Sequence, residues 1–178
     1  MLNNYIALPF TYNVKTLLSV VDISHRACTP CQASTIVQIS KILRVSIPIK
    51  SILYFTLQPL QSSIIHIDTN LSNKKNNDPE FALNLPLLNS DKVSMKWYSE
   101  NNPNIDFDIY VGPNGTPTPS ILENRVTLID QLYYTNPHIV KINTWHSVQN
   151  ESIQDVAHFI SLRFYSPLEL VMNKLFLK

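Results

Sequence analysis

The chain has 178 residues, 44% of them hydrophobic and 15% charged, with a formal net charge of +1. That is one domain's worth of chain, with apolar material for a core and too little charge for a disordered segment or a polyanion-binding face, so nucleic acid is not an expected partner. Two glycines against twelve prolines exclude phosphate loops, dinucleotide fingerprints and nucleophile elbows, each of which needs several closely spaced glycines.

No run reaches the roughly 18–20 apolar residues that span a bilayer. The start, MLNNYIALPFTYNVK, lacks a basic leader and a small-residue cleavage site. No membrane association is expected, and the cytoplasm is the expected location. Richness in Asn, Ile and Lys fits an AT-rich coding sequence, a phage's or a compact-genome bacterium's; for a phage that cytoplasm is a host's.

In chain order, Val14–Ile23 reads as a short helix or a strand, since periodicity does not arbitrate at that length. Cys28-Thr-Pro-Cys31 follows His25 by three residues. It reads as two free thiols, as a redox pair, or as half a zinc site that lacks a second Cys pair. From Ser34 the texture becomes strand-like, with Ile36, Val37, Ile39, Ile42, Val45 and Ile47 closely spaced. Pro48 and Pro59 mark breaks. Ser63–Thr69 is a further strand, and Asn70–Pro79 is a polar loop.

Phe81–Leu88 alternates, with Phe81, Leu83, Leu85 and Leu87 on one face and Ala82, Asn84 and Pro86 on the other. Val93–Tyr98 and Phe107–Val111 are short strands around a turn at Asn101–Asn104. Gly112–Pro119 reads as loop. Val126–Tyr134 is a strand or one helical stretch. His138–Val148 is strand-like, Gln149–Asp155 is a turn, and Val156–Phe164 is an apolar strand expected to pair back along the His146 segment. Leu168, Val171, Met172 and Leu175 recur at helical spacing, so Pro167–Lys178 reads as a helix. Many short strands between polar turns predict an all-β barrel or jelly roll with peripheral helices. The expected organisation is a single domain over 1–178, with an N-terminal extension (1–33), a core (34–165) and a C-terminal helix (166–178).

Chemistry concentrates at His66-Ile67-Asp68. Residues i and i+2 of a strand share a face, so imidazole and carboxylate enter the barrel together while Ile67 points outward. They are two of the three ligands of a 2-His-1-carboxylate Fe(II) site. His146, in INTWHSVQN, is the best third ligand. His25, His138 and His158 are weaker candidates.

The run HIDT, ALNLPL and MKWY between His66 and Tyr98, with INTWHSVQN and SLRF between Pro137 and Phe164, resembles the 2-oxoglutarate/Fe(II)-dependent oxygenases of phages and marine bacteria. The resemblance covers roughly residues 50–165. It implies a double-stranded β-helix (cupin-like) fold and iron held by His66, Asp68 and His146. It also implies an Asn84 that hydrogen-bonds the co-substrate 2-oxoglutarate. The implied reaction converts 2-oxoglutarate to succinate and CO2 while hydroxylating a C–H bond of a small molecule, amino acid or peptide. Trp97, Tyr98 and Trp145 are candidates to line the substrate pocket.

The family anchors the distal carboxylate of 2-oxoglutarate with a cation on the strand after the second histidine. Aligned through SLRF, that place falls near Ala157. Arg163 shares its parity but lies six positions on, about 20 Å along a strand, and reads as a structural salt-bridge residue. Arg125, Lys141 and Lys96 are the other candidate anchors. The uncharged position 157 keeps open a metal-binding cupin-like protein without 2-oxoglutarate turnover. A viral jelly-roll structural protein is a further alternative, as is a zinc protein using His25, Cys28 and Cys31.

Overall fold

The computed structural model describes residues 4–9, 11–21, 28–68, 80–104, 106–112, 115 and 117–176. His25 and the 70–79 loop lie outside them. Among the described residues, twelve strands form two six-stranded sheets, antiparallel at every pairing. The first sheet runs β1 (Tyr5–Ala7), β10 (His138–Lys141), β5 (Phe81–Leu88), β12 (Ala157–Phe164), β3 (Ile49–Leu57), β2 (Cys28–Pro30). The second runs β7 (Asp108–Val111), β8 (Pro117–Ile121), β4 (Ile65–His66), β11 (His146–Asn150), β6 (Val93–Glu100), β9 (Val126–Tyr133). The described residues also form helices α1 (Val14–Leu18), α2 (Ala33–Ile42) and α3 (Leu168–Phe176). No helix among the described residues is long and apolar enough to cross a membrane.

The alternation of β5 explains the layering. Phe81, Leu83, Leu85 and Leu87 join Leu17, Ile39 and Val171 of the three helices in one core on the outer face of the first sheet. Ala82 belongs to a second core between the sheets, with Met95, Trp97, Leu132, Val140 and Phe159. Strand β5 is therefore covered on both faces, and nearly all of it is buried. A third cluster, built on Ile65, Tyr98, Ile121, Val126 and Trp145, covers the outer face of the second sheet.

Three expectations are corrected. The stretch from Ser34 forms α2, and strand begins only at Ile49. Ile36, Ile39 and Leu43 fall at helical spacing, and Ile39 is fully buried, so tertiary burial outweighs the strand preference of β-branched residues. Pro117–Pro119, expected as loop, opens strand β8. The Pro119 carbonyl accepts from Ile67 N–H, so both prolines turn their missing donors toward the short strand β4, where few ladder bonds are needed. Finally, β12 pairs with β3 and β5 and not with β11. The turn after β11 carries the chain from one sheet to the other.

That crossover is organised by Asn150, which is fully buried. Its Nδ2 donates to the carbonyls of Leu57 (3.1 Å), Gln58 (3.2 Å) and Asp155 (2.8 Å), and its Oδ1 accepts from Ser152 N–H (3.0 Å). Asn150→Ala should cost about 2–3 kcal/mol by leaving buried carbonyls unpaired. Urea unfolding checks this, and a loss below ~1 kcal/mol would mean the turn holds its shape without the side chain.

Candidate metal centre

The segment before Asp68 is zipped onto its neighbours by backbone bonds and by the Ser63 hydroxyl. Ser62 bridges Gln149, Ser63 N–H donates to the Val148 carbonyl (2.8 Å), and Val148 N–H returns to Ser63 Oγ (2.9 Å). His66 then lies directly opposite His146. Asp68 N–H donates to the Ile142 carbonyl (3.0 Å). With Ile65 and Ile67 turned to the outer cluster, His66 and Asp68 share the inner face, as period-two geometry requires.

Three side chains converge there. Asp68 Oδ1 lies 3.2 Å from His66 Nε2 and 3.9 Å from His146 Nε2, and one donor atom from each residue lies within 4.8 Å of the others. The imidazole centroids are 4.5 Å apart. Each Nδ1 donates to the carbonyl two residues back, His66 to Ile64 (2.9 Å) and His146 to Thr144 (2.8 Å). Those bonds fix the tautomer and aim both Nε2 atoms at Asp68, the arrangement by which metal-bound histidines are oriented. Donors around a six-coordinate ion stand roughly 3 Å apart, so His146 would close on Asp68 and His66 when a metal binds, and the chemistry of the donor set fits a divalent transition metal.

Electrostatics agree with that geometry. Burial and the neighbouring His66 push His146 down to about 4, so it is a neutral ligand. Burial works against the Asp68 carboxylate, but Arg163 and the two histidines hold it well below the usual carboxylate range. His66 loses by burial and gains more from its bond to Asp68 and that residue's charge, which leaves it raised.

Arg163 arrives from the opposite sheet. Its Nη2 donates to Asp68 Oδ2 at 2.5 Å. The expectation that it is a salt-bridge residue agrees with this contact. The 20 Å separation does not bear on its distance from the site, because β12 lies across from the triad. Its Nη1 is buried with no partner among the described residues. Along the same inner face Ser161 Oγ donates to Asn84 Oδ1 (2.5 Å), and Asn84 Nδ2 donates to Tyr134 Oη (2.6 Å). Tyr134 stays a neutral phenol because burial raises it.

Other expected residues lie elsewhere. Lys141 alternates out of the inner face, away from its neighbour Val140 in the inter-sheet core. Lys96 sits on the outer face, bonded to Gln149 Oε1 (2.7 Å). Arg125 is exposed and donates to the Asp106 carbonyl (3.0 Å). Trp97 is in the inter-sheet core, whereas Tyr98 and Trp145 belong to the outer cluster and face away from the triad. Cys31 is a half-buried free thiol. Ser161 and Tyr134 carried no sequence signal beyond strand parity. No family model and no curated protein matches this chain.

Proposed function

We propose that this chain is an Fe(II)- and 2-oxoglutarate-dependent oxygenase built on a double-stranded β-helix, with His66, Asp68 and His146 as the iron ligands. The observation that carries this reading is the convergence of two tautomer-fixed imidazoles and one carboxylate on neighbouring strand positions. Two facing antiparallel sheets with this triad on one inner face fit the resemblance in the sequence. Fe(II) and 2-oxoglutarate, when bound, would supply the oxidative decarboxylation that drives hydroxylation of a substrate C–H bond.

The chain's own residues have distinct tasks. Arg163 occupies Asp68 Oδ2 and so leaves Oδ1 aimed at the histidines. Its Nη1, without a partner among the described residues, is the donor offered to a carboxylate, as a guanidinium fork suits, and stands in for the missing cation at Ala157. Asn84, Ser161 and Tyr134 continue the polar wall. Phe159 and Met95, buried beside them, keep water out.

Anaerobic titration with Fe(II) and then 2-oxoglutarate should give a visible charge-transfer band that His66→Ala abolishes. Iron binding without the band would favour the metal-binding protein that lacks 2-oxoglutarate turnover, a reading supported by the engagement of Arg163 with Asp68. No iron binding would leave a structural jelly roll.

A further inference from the structure

The row of residues that contains the metal ligands extends past them. Directly opposed positions in an antiparallel sheet share a face. The registers His146↔His66, His66↔Ser120 and Ser120↔Asp108 therefore place Asp108 and Ser120 on the triad's own face. The next residues of that face are Tyr110 and Thr118, again directly opposed. Burial agrees, because Pro119 and Ile121, of opposite parity, are buried in the outer layer while Thr118 and Ser120 are half-exposed.

Strand β7 is an edge strand, and all four of its residues are exposed. The wall beside the triad is thus open to solvent. The Asp108 carboxylate has no ion-pair or hydrogen-bond partner among the described residues. Tyr110, 40% exposed, presents a ring on the same face, and a ring face attracts a cation. Two strand spacings, about 10 Å, separate the backbones of Asp108 and His66.

We propose that Asp108 selects a cationic substrate, an ammonium or guanidinium group on an extended chain, whose reacting carbon lies over the His66/Asp68/His146 triad several bonds from the charge. Tyr110, Thr118 and Ser120 form the rest of the wall. The proposal rests on the oxygenase reading and names the substrate class of that same site.

The test is calorimetric titration of Fe(II)-loaded protein under argon with four probes. Two are cationic, Nα-acetyl-L-lysine amide and Nα-acetyl-L-arginine amide. Two are neutral matches, Nα-acetyl-L-norleucine amide and Nα-acetyl-L-citrulline amide. At least one cationic probe should bind tenfold or more tightly than its neutral match. Asp108→Asn should erase the difference, Asp108→Glu should keep most of it, and added salt should weaken it. Equal affinities in the unaltered protein, or binding of no probe, would overturn the proposal, as would a preference that survives in Asp108→Asn. Asp108 is exposed and outside the triad, so both variants should retain iron and the 2-oxoglutarate band. Absence of that band in the unaltered protein sinks the oxygenase reading separately, whatever the probes do.

Discussion

Arg163→Met should destabilise the metal-free protein by about 3 kcal/mol, the low end for breaking a buried ion pair, and should remove the 2-oxoglutarate band while leaving iron binding detectable. Asp68 is 23% exposed and Arg163 8%, so solvent relieves only part of the stranded charge. The Met side chain keeps most of the stem's packing volume, which isolates the guanidinium. The pH dependence has a definite sign. A carboxylate held below its ordinary value contributes stability that is present above its unfolded pKa, near 4, and is lost as pH falls toward its folded value. Arg163 is the first of the groups that lower Asp68 against its burial. The two proteins should therefore differ most near neutral pH and draw together as pH falls below about 4. Urea unfolding at several pH values measures this. A gap that stays constant from neutral pH to acid would show that Arg163 acts through packing alone.

Trp97→Ala should cost about 4 kcal/mol, within the range for emptying a buried aromatic site. Trp97 is fully buried, stacks on Tyr5 with centroids 5.8 Å apart, and donates Nε1–H to the Lys141 carbonyl (2.9 Å). It also lies directly opposite His146. The vacated space would loosen the second histidine, so iron affinity should fall together with stability. Trp97→Phe should recover most of both. If Trp97→Ala costs less than ~1.5 kcal/mol, neighbouring side chains have collapsed into the gap, and the inter-sheet core is softer than its burial implies.

The parts of the site that depend on local geometry were legible in the sequence. His66 and Asp68 share a face because strand side chains repeat every two residues, and the alternation of Phe81–Leu88 separates the two cores for the same reason. The long-range parts were not legible. Nothing local distinguishes a β12 beside β11 from a β12 across from it, yet that choice alone brings Arg163 onto Asp68. Helix α2 was hidden because Ile and Val carry strand preference, and its N-cap Gln32 makes no side-chain capping bond. Strand β8 was hidden by two prolines whose lost donors happen to face the short partner strand. Asp108 could not be found before the register was known, since its relation to His66 passes through Ser120.

Among the described residues, the hairpin of β7 and β8 pairs with the rest of the second sheet at Ile65 and His66 of β4, with one further backbone bond from Ile67 to Pro119. His66, Asp68 and His146 are also held by β11, by the chain before Asp68 and by Arg163 from the far sheet. On the proposed reading, a lineage could rewrite Asp108, Tyr110 and Thr118 and change what is admitted, while His66, Asp68 and His146 stay in place. Selectivity and chemistry would evolve on separate pieces of backbone. Grafting a related hairpin would be the economical way to redirect such a protein.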